Sequence, residues 1–187
     1  MVLGREVNYK TYSSEGFVIA RRNFGEADRI LVLFTKDFGK SLLIAKGVRK
    51  LTSRKRGGIE IFSHIKFSAI KGKNLDILSE VKVIDTYETT KKDLRKVSVG
   101  YYFCEVIAKI TEDSEVHSEL FNILENFLKE LETTKNLKKL RLEFVKEVLV
   151  NLGFWPSTKK LDNPDLVIES VIERKINSSR VGKKMLQ

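Results

Sequence analysis

Two short apolar runs, Ile30-Leu31-Val32-Leu33-Phe34 and Leu42-Leu43-Ile44-Ala45, flank a polar gap that contains Asp37-Phe38-Gly39. Runs this short, rich in branched residues and bounded by Asp and Gly, read as buried strands, and the gap is the size of a hairpin turn. The pair predicts a β-hairpin, and the chain that follows decides what the sheet presents. Residues 40–58 contain no acid, whereas Lys40, Lys46, Arg49, Lys50, Arg54, Lys55 and Arg56 are all cationic. A sheet that runs into an unopposed cationic loop is a surface for phosphate.

Further strands can be read on both sides of the hairpin. Phe17, Val18, Ile19 and Ala20 form a run that ends at Arg21 and Arg22, which join the basic surface if the sheet closes. Ile65, Phe67 and Ala69 alternate with Lys66, Ser68 and Ile70. A turn at Lys71-Gly72-Lys73-Asn74 then leads to Leu75, Ile77 and an apolar stretch over 81–84. Five modest strands with polar turns, and no helix long enough for a parallel crossover, predict a small antiparallel β-barrel; an OB-fold and an SH3-like barrel both fit the pattern. The turn Gly25-Glu26-Ala27-Asp28-Arg29 carries two carboxylates but no third acid to hold catalytic metal ions. It reads as a fold determinant, with Gly25 supplying a permissive backbone, Asp28 accepting from nearby backbone donors and Arg29 pairing with either acid across the turn.

Near residues 89–93 the apolar period changes from about two to about 3.6, which predicts a barrel over 15–88 and a helical domain over 89–187, preceded by a flexible arm over 1–14. Val97, Tyr101, Cys104 and Ala108 share one face of a first helix. Asp113 or Ser114 can cap a second, with Leu120, Leu124, Phe127 and Leu131 facing inward. Leu137, Leu140, Phe144 and Val148 mark a third, which Gly153 is placed to end in a left-handed conformation before Pro156. Asn163 and Pro164 open a last helix, capped by the first and started by the second. Beyond it residues 174–187 contain no acid, and Arg174, Lys175, Arg180, Lys183 and Lys184 form a second basic cluster.

A formal charge of +10 over 187 residues gives attraction to polyanions. Neither a leader-like apolar core over 1–14 nor a run of the roughly 20 apolar residues that a membrane span needs is present, so a cytoplasmic protein with no membrane contact is expected. The single cysteine, Cys104, allows no internal disulfide and reads as core. His64 and His117, the only histidines, lie within an apolar pattern or at a helix start, where a structural role is expected, and no phosphate-binding glycine loop or metalloprotease motif occurs. No enzymatic activity, cofactor or metal is expected.

The string Phe24-Gly25-Glu26-Ala27-Asp28-Arg29-Ile30-Leu31, then Leu33-Phe34-Thr35, Gly39-Lys40 and Ile44-Ala45-Lys46-Gly47-Val48-Arg49-Lys50, resembles the N-terminal signature of the bacterial RecO family of recombination mediators. Leu152-Gly153-Phe154 with Pro156, and Ser178-Ser179-Arg180 with Lys183-Lys184-Met185-Leu186, resemble that family's later landmarks. The resemblance implies an OB-fold followed by a helical domain. It also implies binding of single- and double-stranded DNA, annealing of complementary strands, and cooperation with RecR to load recombinase onto DNA coated by single-stranded-DNA-binding protein. The acidic, apolar-ended C-terminal tail of that last partner would sit on the helical domain over 91–151. The candidate DNA-binding residues are Arg21, Arg22 and the two basic clusters, with Phe24, Phe38 and Phe62 as candidates for stacking on bases. The chain departs from the family in one respect: many members carry a four-cysteine zinc module after the Leu-Gly landmark, whereas residues 155–165 contain neither Cys nor His. An RNA-binding OB-fold protein and a helical adaptor for an acidic peptide are the alternative functions.

Overall fold

The computed structural model describes residues 10–53, 55–173 and 176, and of Arg56 the backbone only. Five strands, β1 (Thr11–Phe24), β2 (Asp28–Thr35), β3 (Gly39–Ala45), β4 (His64–Ile70) and β5 (Asp76–Asp85), close a barrel in the order β1-β2-β3-β5-β4. Four seams are antiparallel, and β3 meets β5 in a short parallel seam, Leu43 beside Asp76 and Ile44 beside Ile77. Topology requires one such seam, because an odd number of strands cannot alternate direction all the way round a closed ring. The expected antiparallel barrel is therefore realised with one parallel closure.

β1 begins at Thr11, well ahead of the apolar run at Phe17, so Thr11, Tyr12, Ser13 and Ser14, expected in the arm, are paired with β4. The polar letters concealed this strand because its outer face is solvated there, as the Ser13 and Ser68 hydroxyls show by meeting in the open at 2.9 Å. Farther along, β1 is buried on both faces. Val18 points into the barrel with Leu31, Leu33, Leu43, Ile65 and Phe67, while Phe17 and Ile19 belong with Phe34 to a second core shared with the helices. Burial on both sides explains an unbroken apolar run where one solvated face would give alternation. The register shift between Val18 and Ala20 lets β1 pass from β4 to β2.

The helices are α1 (Glu88–Lys91), α2 (Leu94–Ile110), α3 (Ser118–Thr133), α4 (Leu137–Asn151) and α5 (Pro164–Ile172). Side-chain caps start three of them: Asp93 accepts from Arg95 N, Asn136 from Lys139 N and Asn163 from Leu166 N. Gly153 adopts φ +76° just beyond α4, as expected. The cap of α3 is His117, not Asp113 or Ser114. Those two residues are drawn to the β2–β3 hairpin instead, where Ser114 N donates to Lys40 O at 3.0 Å and Asp113 lies 3.3 Å from Lys40 Nζ. The same contact explains Gly39: at φ +64° it lies so close that a Cβ would fall 2.0 Å from the Glu115 carbonyl oxygen.

Aromatic packing joins barrel to helices. Phe17 lies 5.0 Å from Phe121 of α3, and His64, 3% exposed, stacks on Phe17 at 4.3 Å with its Nε2 lacking a hydrogen-bond partner among the described residues. Burial lowers the His64 pKa, while the charges of Glu125 and Glu15 work in the other direction. Cys104 is core, its thiol pushed up to about 12 by burial. α5 is held by a buried polar knot in which Asp165 accepts from Arg141 and from the Tyr102 hydroxyl, with the Arg141 guanidinium 3.9 Å above the Tyr102 ring.

Candidate nucleic-acid interface

One end of the barrel is built by the β1–β2 turn and the chain that leaves β3. Asp28 Oδ1 accepts from Gly47 N at 2.7 Å, Arg49 N donates to Ala27 O at 2.8 Å, and the Arg49 guanidinium donates to Gly25 O at 3.3 Å. Gly25 and Gly47 take φ values of +54° and +65°, which other residues adopt at a cost. Val48, 1% exposed, plugs the barrel between them. Asp28 is thus a clamp between two turns distant in sequence, not an acceptor within its own turn.

On this frame Arg22, Lys46, Arg49 and Lys50 are exposed beside Phe24, whose ring is 49% exposed. No side-chain hydrogen bond or ion pair among the described residues occupies Arg22, Lys46 or Lys50. A locally rigid surface with free cations and an open aromatic face can neutralise phosphates and stack a base.

Other sequence candidates are engaged elsewhere. The Lys40 ammonium, 15% exposed, donates to the Ala108 and Thr111 carbonyls at 3.0 and 2.6 Å, so it caps the C-terminal end of α2 and is not part of the surface. Arg21 is paired with Glu60 at 2.6 Å, and Arg29 reaches the same carboxylate at 3.3 Å instead of Glu26 or Asp28. Lys55 donates to Leu78 O at 2.9 Å. Phe62 is buried against Gly100 and Tyr101 and cannot stack on a base. Phe38 is exposed, but at the other end of the barrel. Arg54, Arg174, Lys175, Arg180, Lys183 and Lys184 lie outside the described residues, as does the Arg56 side chain. Glu60, which removes two arginines from the free set, carried no sequence signal because its partners lie 39 and 31 positions away.

The helical domain has a groove of about 570 Å³ between α3 and α4, with Ile123, Phe127 and Val150 in its wall. Glu130, Glu143 and Glu147 line it against a single Lys146. A rim of that sign repels an acidic tail from this groove. Among the described residues no group of three His, Cys, Asp or Glu could hold a metal ion, and no helix is long and apolar enough to cross a membrane.

Comparison with known proteins gives two family matches, Recombination protein O N terminal over residues 10–87 and Recombination protein O C terminal over residues 91–160. The DNA repair protein RecO of Alkaliphilus metalliredigens is 34% identical over 111 residues, which is 59% of this chain and 45% of that protein. Its counterpart in Roseiflexus sp. is 30% identical over 147 residues, 79% of this chain and 52% of that protein. The one from Symbiobacterium thermophilum is 31% identical over 147 residues, 78% and 58% respectively. The chain spans about half the length of these curated relatives.

Proposed function

The chain belongs to the RecO family of DNA repair proteins, and on that footing we propose that it is a DNA-binding recombination mediator that anneals complementary strands. The observation that carries the reading is the Asp28 clamp, which fixes the segment bearing Lys46, Arg49 and Lys50 against the β1–β2 turn, at the strand end that carries Arg22 and the exposed ring of Phe24. Each cation that meets a phosphate releases a counterion, so affinity is strong at low salt and independent of sequence. The Phe24 face offers stacking to an unpaired base, a contact typically worth about 1–3 kcal/mol per base. Two strands that share one cationic surface repel each other less, and this is a direct physical route to annealing. Double-stranded DNA would be held chiefly through its phosphates, which the exposed cations can neutralise.

In this reading RecR and the acidic C-terminal tail of single-stranded-DNA-binding protein are protein partners that couple the bound strand to recombinase loading. The tail would bind the helical domain over 91–151 away from the α3–α4 groove, whose carboxylate rim repels it. The test is strand annealing by the purified chain, followed with labelled complementary oligonucleotides. Acceleration over the spontaneous rate, lost when Arg22, Lys46 and Lys50 are replaced together, is expected; no acceleration would overturn the reading. Equal annealing of matched RNA strands would redefine the protein as a general single-strand annealer.

A further inference from the structure

At the other end of β1 the chain assembles a second group of aromatic and cationic side chains. Tyr12 and Phe38 meet edge to face, ring centres 4.7 Å apart, and Phe38 is 38% exposed at the tip of the β2–β3 hairpin. The Lys71 ammonium lies 4.7 Å from the centre of the Tyr12 ring, and Lys71 N donates to Lys10 O at 2.9 Å. Lys36, two positions before Phe38, and Lys73, in the β4–β5 turn, bring two further exposed ammonium groups. Lys10, Lys36 and Lys73 form no ion pair among the described residues.

Asp76 and Asp37, the acids next to Tyr12 and Phe38, are both hydrogen-bonded. Asp76 accepts from the Tyr12 hydroxyl at 2.6 Å, from Lys71 Nζ at 2.9 Å and from Gly72 N at 3.1 Å. Asp37 accepts from Ser14 Oγ at 2.6 Å. Asp76 therefore fixes the Tyr12 ring and Lys71 relative to one another, and Tyr12 in turn backs Phe38. A hairpin tip that served only the fold could carry a polar residue at this exposed place. Here it presents a supported aromatic ring with four lysines around it, which is the combination that binds single strands without regard to sequence.

We infer that Phe38, backed by Tyr12 and flanked by Lys10, Lys36, Lys71 and Lys73, is a second contact for single-stranded nucleic acid, separate from the surface around Phe24. The site rests on the DNA-binding reading above and extends it. Tyr12 and Phe24 lie at opposite ends of β1, up to about 40 Å apart for a straight strand, so the two contacts engage different stretches of one strand or two different strands.

The experiment compares Phe38→Leu and Phe38→Trp with the parent chain, using an oligothymidylate and an abasic oligomer of equal length. Leucine keeps apolar contact with Tyr12 but removes the aromatic face; tryptophan keeps the face. Phe38→Leu should melt like the parent, bind oligothymidylate about tenfold more weakly and bind the abasic strand equally well, with Phe38→Trp restoring the loss. A Lys36→Ala/Lys73→Ala variant should weaken both ligands and lower the salt dependence by about 1.4 in log–log slope. Unchanged oligothymidylate binding by Phe38→Leu, with the parent binding well, would overturn this site alone. Equal losses for both oligomers would overturn base stacking there. A parent chain that binds neither oligomer would overturn the DNA-binding reading itself.

Discussion

Replacing Arg22, Lys46 and Lys50 together by alanine separates charge from structure at the Phe24 end of the barrel. All three side chains are exposed, and none makes a side-chain hydrogen bond or ion pair among the described residues. The clamp between Asp28, Gly47, Ala27 and Arg49 is left intact, as is the plug Val48. Melting should therefore stay within roughly 5 °C of the parent, the usual range for a few surface changes in a chain this long. Binding should not. Each phosphate contact on a single strand contributes about 0.7 to the slope of log affinity against log salt, so losing three lowers its magnitude by about 2. Between 50 and 200 mM salt a slope difference of about 2 amounts to roughly 20-fold, so the variant's deficit is large at low salt and shrinks by that factor at the higher concentration. The assay is fluorescence anisotropy with a labelled oligothymidylate across that salt range. A triple variant that binds weakly but keeps the parent's slope would refute phosphate contact by these residues. One that keeps both affinity and slope would show that the cations are only solvated.

Other features give simpler expectations. His64 is buried, and its pKa in the folded chain lies below the ordinary 6.5, so the unfolded chain binds more protons as pH falls. Stability should then decline from pH 6.5 down to the folded-state pKa, by no more than about 1.4 kcal/mol per pH unit from this group, and denaturant titrations of His64→Phe should lack that component. Asp165→Ala leaves Arg141 buried without its carboxylate and should cost about 3–5 kcal/mol in chemical unfolding, whereas Arg141→Met with Asp165→Leu should recover much of the loss. Elemental analysis of the purified chain should find no stoichiometric zinc, and chelator should leave its melting unchanged; one zinc per chain would contradict both.

The barrel was legible because its determinants are local. The hairpin at Gly39, the permissive backbone at Gly25, the left-handed end at Gly153 and the Asn163-Pro164 helix start are each written within a few residues, and each forms as read. The first four residues of β1 were not legible, because a strand with a solvated outer face and Tyr12 held by the distant Asp76 has no apolar alternation to display. The site was only partly legible for a related reason. Cationic residues can be counted in a sequence, but whether a cation is free depends on what the fold brings to it. Lys40 is consumed by the end of α2, Arg21 by Glu60 and Lys55 by a β5 carbonyl, while Lys46 and Lys50 stay open. Phe24 and Phe62 read alike in the sequence, yet one faces water and the other is covered by α2.

The central claim is that DNA lies on the barrel end held together by Asp28. It is tested most directly by lysine reactivity footprinting, in which acetylation of each lysine is measured by mass spectrometry with and without saturating single-stranded oligonucleotide. Lys46 and Lys50 should lose reactivity on binding, while Lys40, already engaged by two carbonyl oxygens, and Lys138 and Lys139, exposed on α4, should not change. Undiminished reactivity of Lys46 and Lys50 in a chain shown to be saturated with DNA would contradict the claim.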